Sequence, residues 1–169
     1  GLYERHARAF DLGRGRSLPE KGWLDRFATL VRAGGHILDL GCGMGEPIAR
    51  YFIDRGYRVT GIDSAPAMIA LCCERFPGHV WQIADMRSLS LRDRFDGILA
   101  FDSFFHLSPD DQRAMFAVFR AHTVPGAPLM FTAGPACGEA IGSFEGEPLY
   151  HASLDPDEYR ILLGRHGFA

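Results

Sequence analysis

The chain has 169 residues, 47% of them apolar and 23% charged, with a formal net charge of -3. That length suits one domain with a substantial core, and the balance excludes a disordered chain or a coiled coil. The slight acidity argues against a general nucleic-acid partner, and no run approaches the ~18 apolar residues of a membrane span.

Lys21 is the only lysine among 18 basic residues, a bias expected from the genome of a GC-rich bacterium. GLYERHARAF is charged from Glu4 onward and lacks the apolar centre of a secretory signal. Cys42, Cys72, Cys73 and Cys137 form no CxxC pair, so buried free thiols in a reducing cytoplasm and no metal site are expected.

Residues 1 to 34 read as one or two helices, broken by a turn at Gly13, Gly15 and Pro19. HILDL (36–40) is the first strand and runs into the glycines of GCGMGEP. Pro47 suits the first turn of a helix, which Gly56 stops. RVTGID (58–63) is the second strand, with Ser64 placed to cap the helix carrying Met68, Ile69 and Leu71. HVWQIAD (79–85) and FDGILAF (95–101) are the third and fourth strands. Ser108-Pro109-Asp110-Asp111 opens a helix to about His122. APLMFTAG (127–134) is the fifth strand, a Gly-rich stretch without periodicity fills 134–153, and Asp155-Pro156-Asp157-Glu158 starts a last helix with capping-box spacing. Strands alternating with helices of this length give an α/β fold: a three-layer, doubly wound, mostly parallel Rossmann-like sheet in a single domain.

In such a sheet the first strand-to-helix loop, at the carboxyl ends of the strands, is the usual ligand contact. Here it is Asp39-Leu40-Gly41-Cys42-Gly43-Met44-Gly45. The glycines allow a sharp turn and let a ligand approach the main chain. A dinucleotide loop would need G-x-G-x-x-G, but Glu46 stands where the third glycine belongs and would repel a pyrophosphate. Asp39 adds a second negative charge. Acids suit S-adenosylmethionine better, because it lacks phosphates and its sulfonium and amino groups are cationic. Asp63 ends the second strand where a carboxylate can accept both ribose hydroxyls, at roughly 1.5–3 kcal/mol per charge-assisted bond. Asp85 can accept from an adenine amino group while Met86 packs on the ring.

LDLGCGMGEP, GIDSAPAM, QIADM, FDGILAFDSFFHL and PGAPLMFT occur in this order over residues 35–133. On these segments the chain resembles the class I S-adenosylmethionine-dependent methyltransferases, in a small-molecule branch. The resemblance implies Gly41 and Gly43 against the methionine part, Asp63 on the ribose, Asp85 and Met86 at adenine, and Met68 toward the adenosine. Asp39, Cys42, Ser64 and Phe101 complete the expected cofactor-binding set. The family sheet has seven strands, the last two a hairpin following a helix that ends in Gly-Phe, as Gly167-Phe168 stands here. Only five are legible, so that hairpin is expected to be missing from this chain. Residues 1–34 are expected to fold as a lid, residues 35–133 to hold the cofactor, and 134–169 to form a substrate loop and last helix.

Methyl transfer from a sulfonium is an in-line displacement in which alignment can supply on the order of 7–11 kcal/mol. FDSFFHL (101–107) should lie near the transferred methyl, and Asp102-Ser103-Phe104-Phe105 lacks both prolines of the Asn/Asp-Pro-Pro-aromatic motif of nucleic-acid amino-methyltransferases. A small organic acceptor is therefore expected. His106 is the candidate general base, since imidazole titrates near neutrality; the opposing reading is a histidine that only bonds backbone. Tyr3, Arg14, Asp102, Phe105, Tyr150 and His151 are the candidate acceptor contacts, with Glu139 and Glu145 in the same loop; Arg16 belongs with a solvated basic face. Two alternatives are a non-catalytic S-adenosylmethionine-binding regulator and an NAD(P)-dependent oxidoreductase.

Overall fold

The computed structural model describes residues 1–14 and 17–169. Gly15 of the expected first turn and Arg16 of the expected basic face lie outside the described residues. Five parallel strands form one sheet: β1 (His36–Leu40), β2 (Arg58–Asp63), β3 (Val80–Ile83), β4 (Gly97–Ala100) and β5 (Leu129–Phe131). Their order is β3-β2-β1-β4-β5. Chain order reverses between β1 and β4, and there a crevice opens at the carboxyl ends of the strands. β1 and β4 are buried on both faces, which is why they read as continuous apolar runs rather than alternating ones.

Helices α1 (Leu2–Arg5), α2 (Ala7–Gly13), α3 (Lys21–Leu30), α4 (Ile48–Ile53), α5 (Pro66–Arg75), α6 (Pro109–Ala121) and α7 (Pro156–Arg165) surround this sheet. Leu24, Phe27, Ile37 and Phe52 pack in one core cluster, whereas Phe104, Phe116, Phe119 and Tyr159 join Leu38 and Ile98 in another. The three layers expected from the alternating pattern are present.

Local chemistry shifts some expected boundaries. Pro47 stands just before α4 rather than inside its first turn. Ser64 does not cap α5; Ala65 holds that position, and its amide donates to Asp63 Oδ1 at 2.9 Å. Ser108 caps α6 by accepting from Asp111 N, as expected. Asp155 caps α7, but Glu158 reaches across to Arg113 instead of closing a capping box.

Residues 138–153 are not an unpatterned loop. They form an antiparallel hairpin of β6 (Gly138–Phe144) and β7 (Glu147–Ser153), separate from the main sheet. Its two-residue turn, Glu145-Gly146, has φ of 51° and 77°, the left-handed values that a tight hairpin turn requires. Small residues on β6 mask the alternation that would have marked the strand.

A buried polar network anchors the hairpin base. The Tyr159 hydroxyl donates to Gln112 Oε1 at 2.6 Å and accepts from Leu154 N at 3.0 Å, while Gln112 Nε2 donates to the Leu107 and Ala152 carbonyls. The far end of the hairpin meets the N-terminal helices. Glu147 accepts from Arg5 and His6, which hold its carboxyl down at about 2, and Phe144 packs edge-on to Phe10. Glu4 accepts from Ala67 N and Asp11 pairs with Arg75, so α1 and α2 are also tied to α5.

Tyr159→Phe keeps the ring but strands the Leu154 amide and the Gln112 carbonyl. It should lower stability by about 1–3 kcal/mol in urea denaturation; an unchanged midpoint would mean that the network does not hold the hairpin base.

Candidate active site

A cavity of about 500 Å³ lies at the carboxyl ends of β1, β2 and β4, between the glycine loop and the N-terminal helices. Asp63, Met68, Met86, Ser103 and His106 are among its walls, with Tyr3 and Phe10 over it. A recess of about 50 Å³ shares Phe10, Gly41, Gly43 and Asp102 with it and adds Arg14, Asp39, Glu46 and Phe101. The cavity is of the size at which small-molecule sites begin to enclose a ligand.

The two leading glycines do different work. Gly41 has φ 75°, and a Cβ there would lie 2.2 Å from Ser103 Cβ. Its missing side chain is thus filled by Ser103, whose hydroxyl donates to the Leu40 carbonyl at 2.7 Å. Gly43 has φ 54° and nothing within 4 Å of its would-be Cβ, so this position leaves open space. The Gly43 amide donates to Asp63 Oδ2 at 3.0 Å. Cys42 turns its thiol into a buried cluster with Ile69 and Cys72, and both thiols approach the Gly43 carbonyl. The thiol bond with Cys72 and burial push the Cys42 thiol up. Cys42 and Cys72 are buried as expected, whereas Cys73 and Cys137 are exposed, against the expectation of buried thiols throughout.

Acids dominate the charge. Asp39 is 3% exposed and lines the recess. Burial, and then the neighbouring Asp63 charge, push its carboxyl up to about 7. Burial also raises Asp63, although its backbone donors pull the other way. A carboxylate can accept about four hydrogen bonds, so Asp63 retains capacity beyond the backbone amides it binds. Asp85 caps the 3-10 turn Met86–Ser88 and is forked by Arg87, which holds its carboxyl below the usual range. Arg87 also reaches Asp111, so its charge is shared between two acids. Arg14 lies 3.6 Å from Asp102 and 4.0 Å from Glu20. Asp102 has φ 50°, a left-handed value that costs a non-glycine residue energy and recurs at functional sites.

Tyr3 and His106 meet here from opposite ends of the fold. His106 Nδ1 donates to the Tyr150 carbonyl at 2.9 Å. Its Nε2 is left as the acceptor for the Tyr3 hydroxyl at 3.0 Å. Burial lowers the His106 pKa and is the leading cause of the raised Tyr3 pKa, ahead of Asp63 and Asp102.

The expected cofactor residues thus converge: Asp63, Ser64, Met68, Asp85 and Met86 line the cavity and Asp39, Cys42 and Phe101 the recess. The acceptor candidates divide. Tyr3, Asp102 and His106 are together, with Arg14 in the recess, but Phe105, Glu139 and His151 line a different cavity behind them. Tyr150 gives the site a carbonyl rather than its ring, and Glu145 sits exposed in the hairpin turn. Sequence reasoning missed Ser103 and Phe10. Only the crowding at Gly41 reveals the first, and no motif marks the second.

A model of the methyltransferase domain matches residues 37–126. Malonyl-[acyl-carrier protein] O-methyltransferase of Serratia marcescens is 29% identical over 138 residues, covering 79% of this chain and 53% of that protein. A dTDP-3-amino-3,6-dideoxy-alpha-D-glucopyranose N,N-dimethyltransferase of Streptomyces fradiae is 33% identical over 104 residues, 58% of this chain and 40% of that protein. This chain spans about half the length of the curated relatives it matches. Among solved structures, S-adenosylmethionine-bound CalS10, an amino pentose methyltransferase of Micromonospora echinaspora, superposes with TM-score 0.73 at 23% identity over 99% of this chain and 88% of that one. The CcbJ methyltransferase of Streptomyces caelestis gives 0.77 at 20% identity over 96% and 84%.

Asp39 sets a pH dependence. An acid whose folded pKa exceeds its unfolded value near 3.9 binds protons more tightly when folded, so its burial costs nothing below about pH 4. The cost grows as pH rises to about 7, where it reaches about 4 kcal/mol, and is constant above. Asp39→Asn should therefore gain on the native chain by about 2 kcal/mol or more between pH 5 and pH 8 in urea unfolding. Parallel pH profiles for the two proteins would show that Asp39 is already ionised in the free fold.

Proposed function

This chain belongs to the methyltransferase-domain family, and we propose that its site transfers a methyl group from S-adenosylmethionine to a small organic acceptor. One observation carries the reading: the buried Asp39 carboxyl faces a recess beside the open Gly43 position and the anchored Asp63. Such a donor set suits a cationic, phosphate-free ligand and resists a pyrophosphate. The cofactor, when bound, supplies a methyl carbon already activated by a sulfonium.

The residues divide the work by chemistry. Asp63, with its spare lone pairs, suits a ribose diol. Met68 and Met86 offer apolar faces to an adenine ring, beside Asp85. Asp85 shares its oxygens with Arg87, so its bond to an adenine amino group would be weakened by that competition. Asp39 and Arg14 bracket the recess with opposite charge, a match for an amino acid's ammonium and carboxylate. Gly41, Cys42, Ser64 and Phe101 shape the wall around them.

At the acceptor end, His106 accepts the Tyr3 proton rather than facing the cavity alone. An acceptor O–H or N–H bonded to Tyr3 oxygen would pass its proton to Tyr3 as Tyr3 passes its own to His106 Nε2. The carbonyl of Tyr150 keeps the second His106 proton on Nδ1, so the relay has one direction. Asp102 favours the imidazolium that results. Alignment supplies most of the acceleration, and such a relay typically adds 10²–10⁴-fold.

The nicotinamide alternative is opposed by Glu46, which lines the recess where a pyrophosphate would need donors, although Arg50 pairs with it. Thermal-shift titrations with S-adenosylmethionine, S-adenosylhomocysteine, NAD and NADP test the reading together. At about 100 times its dissociation constant a ligand adds about 2.7 kcal/mol. The two adenosyl-sulfur compounds should raise the melting temperature and the nicotinamide compounds should not. A shift with NAD alone, or with none of the four, overturns it.

A further inference from the structure

Behind the catalytic end lies a second, open-mouthed cavity of about 400 Å³, between the β5 exit (132–136) and the base of the hairpin. Its polar side chains are largely engaged with the protein. The Ser153 hydroxyl shares its proton between the Gly134 and Leu154 carbonyls, Thr132 accepts from Asp102 N, and Glu139 holds the Tyr150 hydroxyl. What remains for a ligand is mostly apolar, the Phe105 ring and the methyl groups of Ala133, Ala136 and Ala140, with Glu139 and the His151 ring at the same wall. At Gly138 a side chain would meet no atom within 4 Å, so the floor is left open there as well.

The wall between the two cavities is a ring stack. Phe105 and His151 lie nearly parallel with centroids 5.1 Å apart, and His151 is 4.9 Å from His106. His106 lines the first cavity, while Phe105 and His151 line the second. A group held in the second cavity therefore touches the stack whose other side abuts the proton relay. Register explains the arrangement: Ala140 stands opposite His151 and Gly138 opposite Ser153, so β6 contributes almost no bulk to this face.

We propose that this cavity is a second ligand site, distinct from the first, and that it takes an uncharged aromatic or aliphatic group stacked against Phe105. The assignment goes beyond the methyl-transfer reading and stands on the cavity's own walls. An occupant is coupled to the proton relay through the rings of Phe105 and His151, which both pack on His106.

The probe is 5-fluoroindole, observed by ¹⁹F NMR on protein saturated with S-adenosylhomocysteine, so that the first cavity is filled. Binding of the adenosyl compound is measured separately by its thermal shift. The native protein should broaden and shift the fluorine signal. It should also move the imidazole ¹⁵N signals of His151 and, through the stack, of His106. Ala140→Leu and Ala136→Leu both fill the cavity at exposed positions, where added bulk disturbs no packing. Each should weaken the probe by tenfold or more and leave the adenosyl thermal shift unchanged. No binding of the probe to the native protein overturns the proposal. So does equal binding to both variants, or binding that leaves both histidines unmoved. A missing adenosyl shift with the probe results intact would sink the methyl-transfer reading alone and leave the second site standing.

Discussion

The site depends on two hydrogen bonds that Asp63 accepts. One oxygen takes the Gly43 amide and the other the Ala65 amide, joining the first loop to the start of α5. Gly43 presents that amide from a φ of 54°, a left-handed value that glycine adopts without the strain a side chain would bring. β1 and β2 are in parallel register from His36↔Arg58 to Leu40↔Ile62, so the loop leaves the sheet beside the carboxylate that holds it. Burial raises the Asp63 pKa, and that of Asp39 is raised by its own burial first and by the Asp63 charge second. Two acids thus sit side by side at a position that a cationic ligand would relieve.

Above this floor, the closing elements are joined to one another as well as to the core. Tyr3 and Phe10 from the N-terminal helices meet Phe144 from the hairpin, and Glu147 ties the same two segments through Arg5 and His6. The Glu147 pair is exposed and contributes little by itself; the aromatic contacts beneath it carry more area. The arrangement also sets proton chemistry at a distance. β7 supplies the carbonyl that fixes the His106 tautomer, and α1 supplies the hydroxyl on the opposite nitrogen. Both segments lie outside residues 37–126, the stretch that the family model matches.

Much of the floor was legible in the sequence because it is local. HILDL and RVTGID coincide with β1 and β2, and the acid at the end of β2 follows from strand length alone. The Ser108 cap was readable because its partner is three residues away. What failed was non-local or masked. Ser64 has a capping side chain, but Asp63 takes the amide first. The hairpin escaped because Gly138, Ala140 and Gly142 remove the apolar alternation, although Glu145-Gly146 was a usable turn signal. Phe105 and His151 were expected with His106, and they are its neighbours. They open onto the other side of the wall, a distinction that needs three dimensions.

In the proposed reading, Asp63 builds the floor on which an adenosyl-sulfur ligand rests. Calorimetric titration of S-adenosylhomocysteine into the native chain and into Asp63→Asn tests this. Asparagine places an amide group where one of these backbone donors now finds an oxygen. The native chain should bind at one site and the variant at least tenfold more weakly, about 1.4 kcal/mol. Equal affinity in the two proteins, or no binding heat in the native one across temperatures, would contradict it.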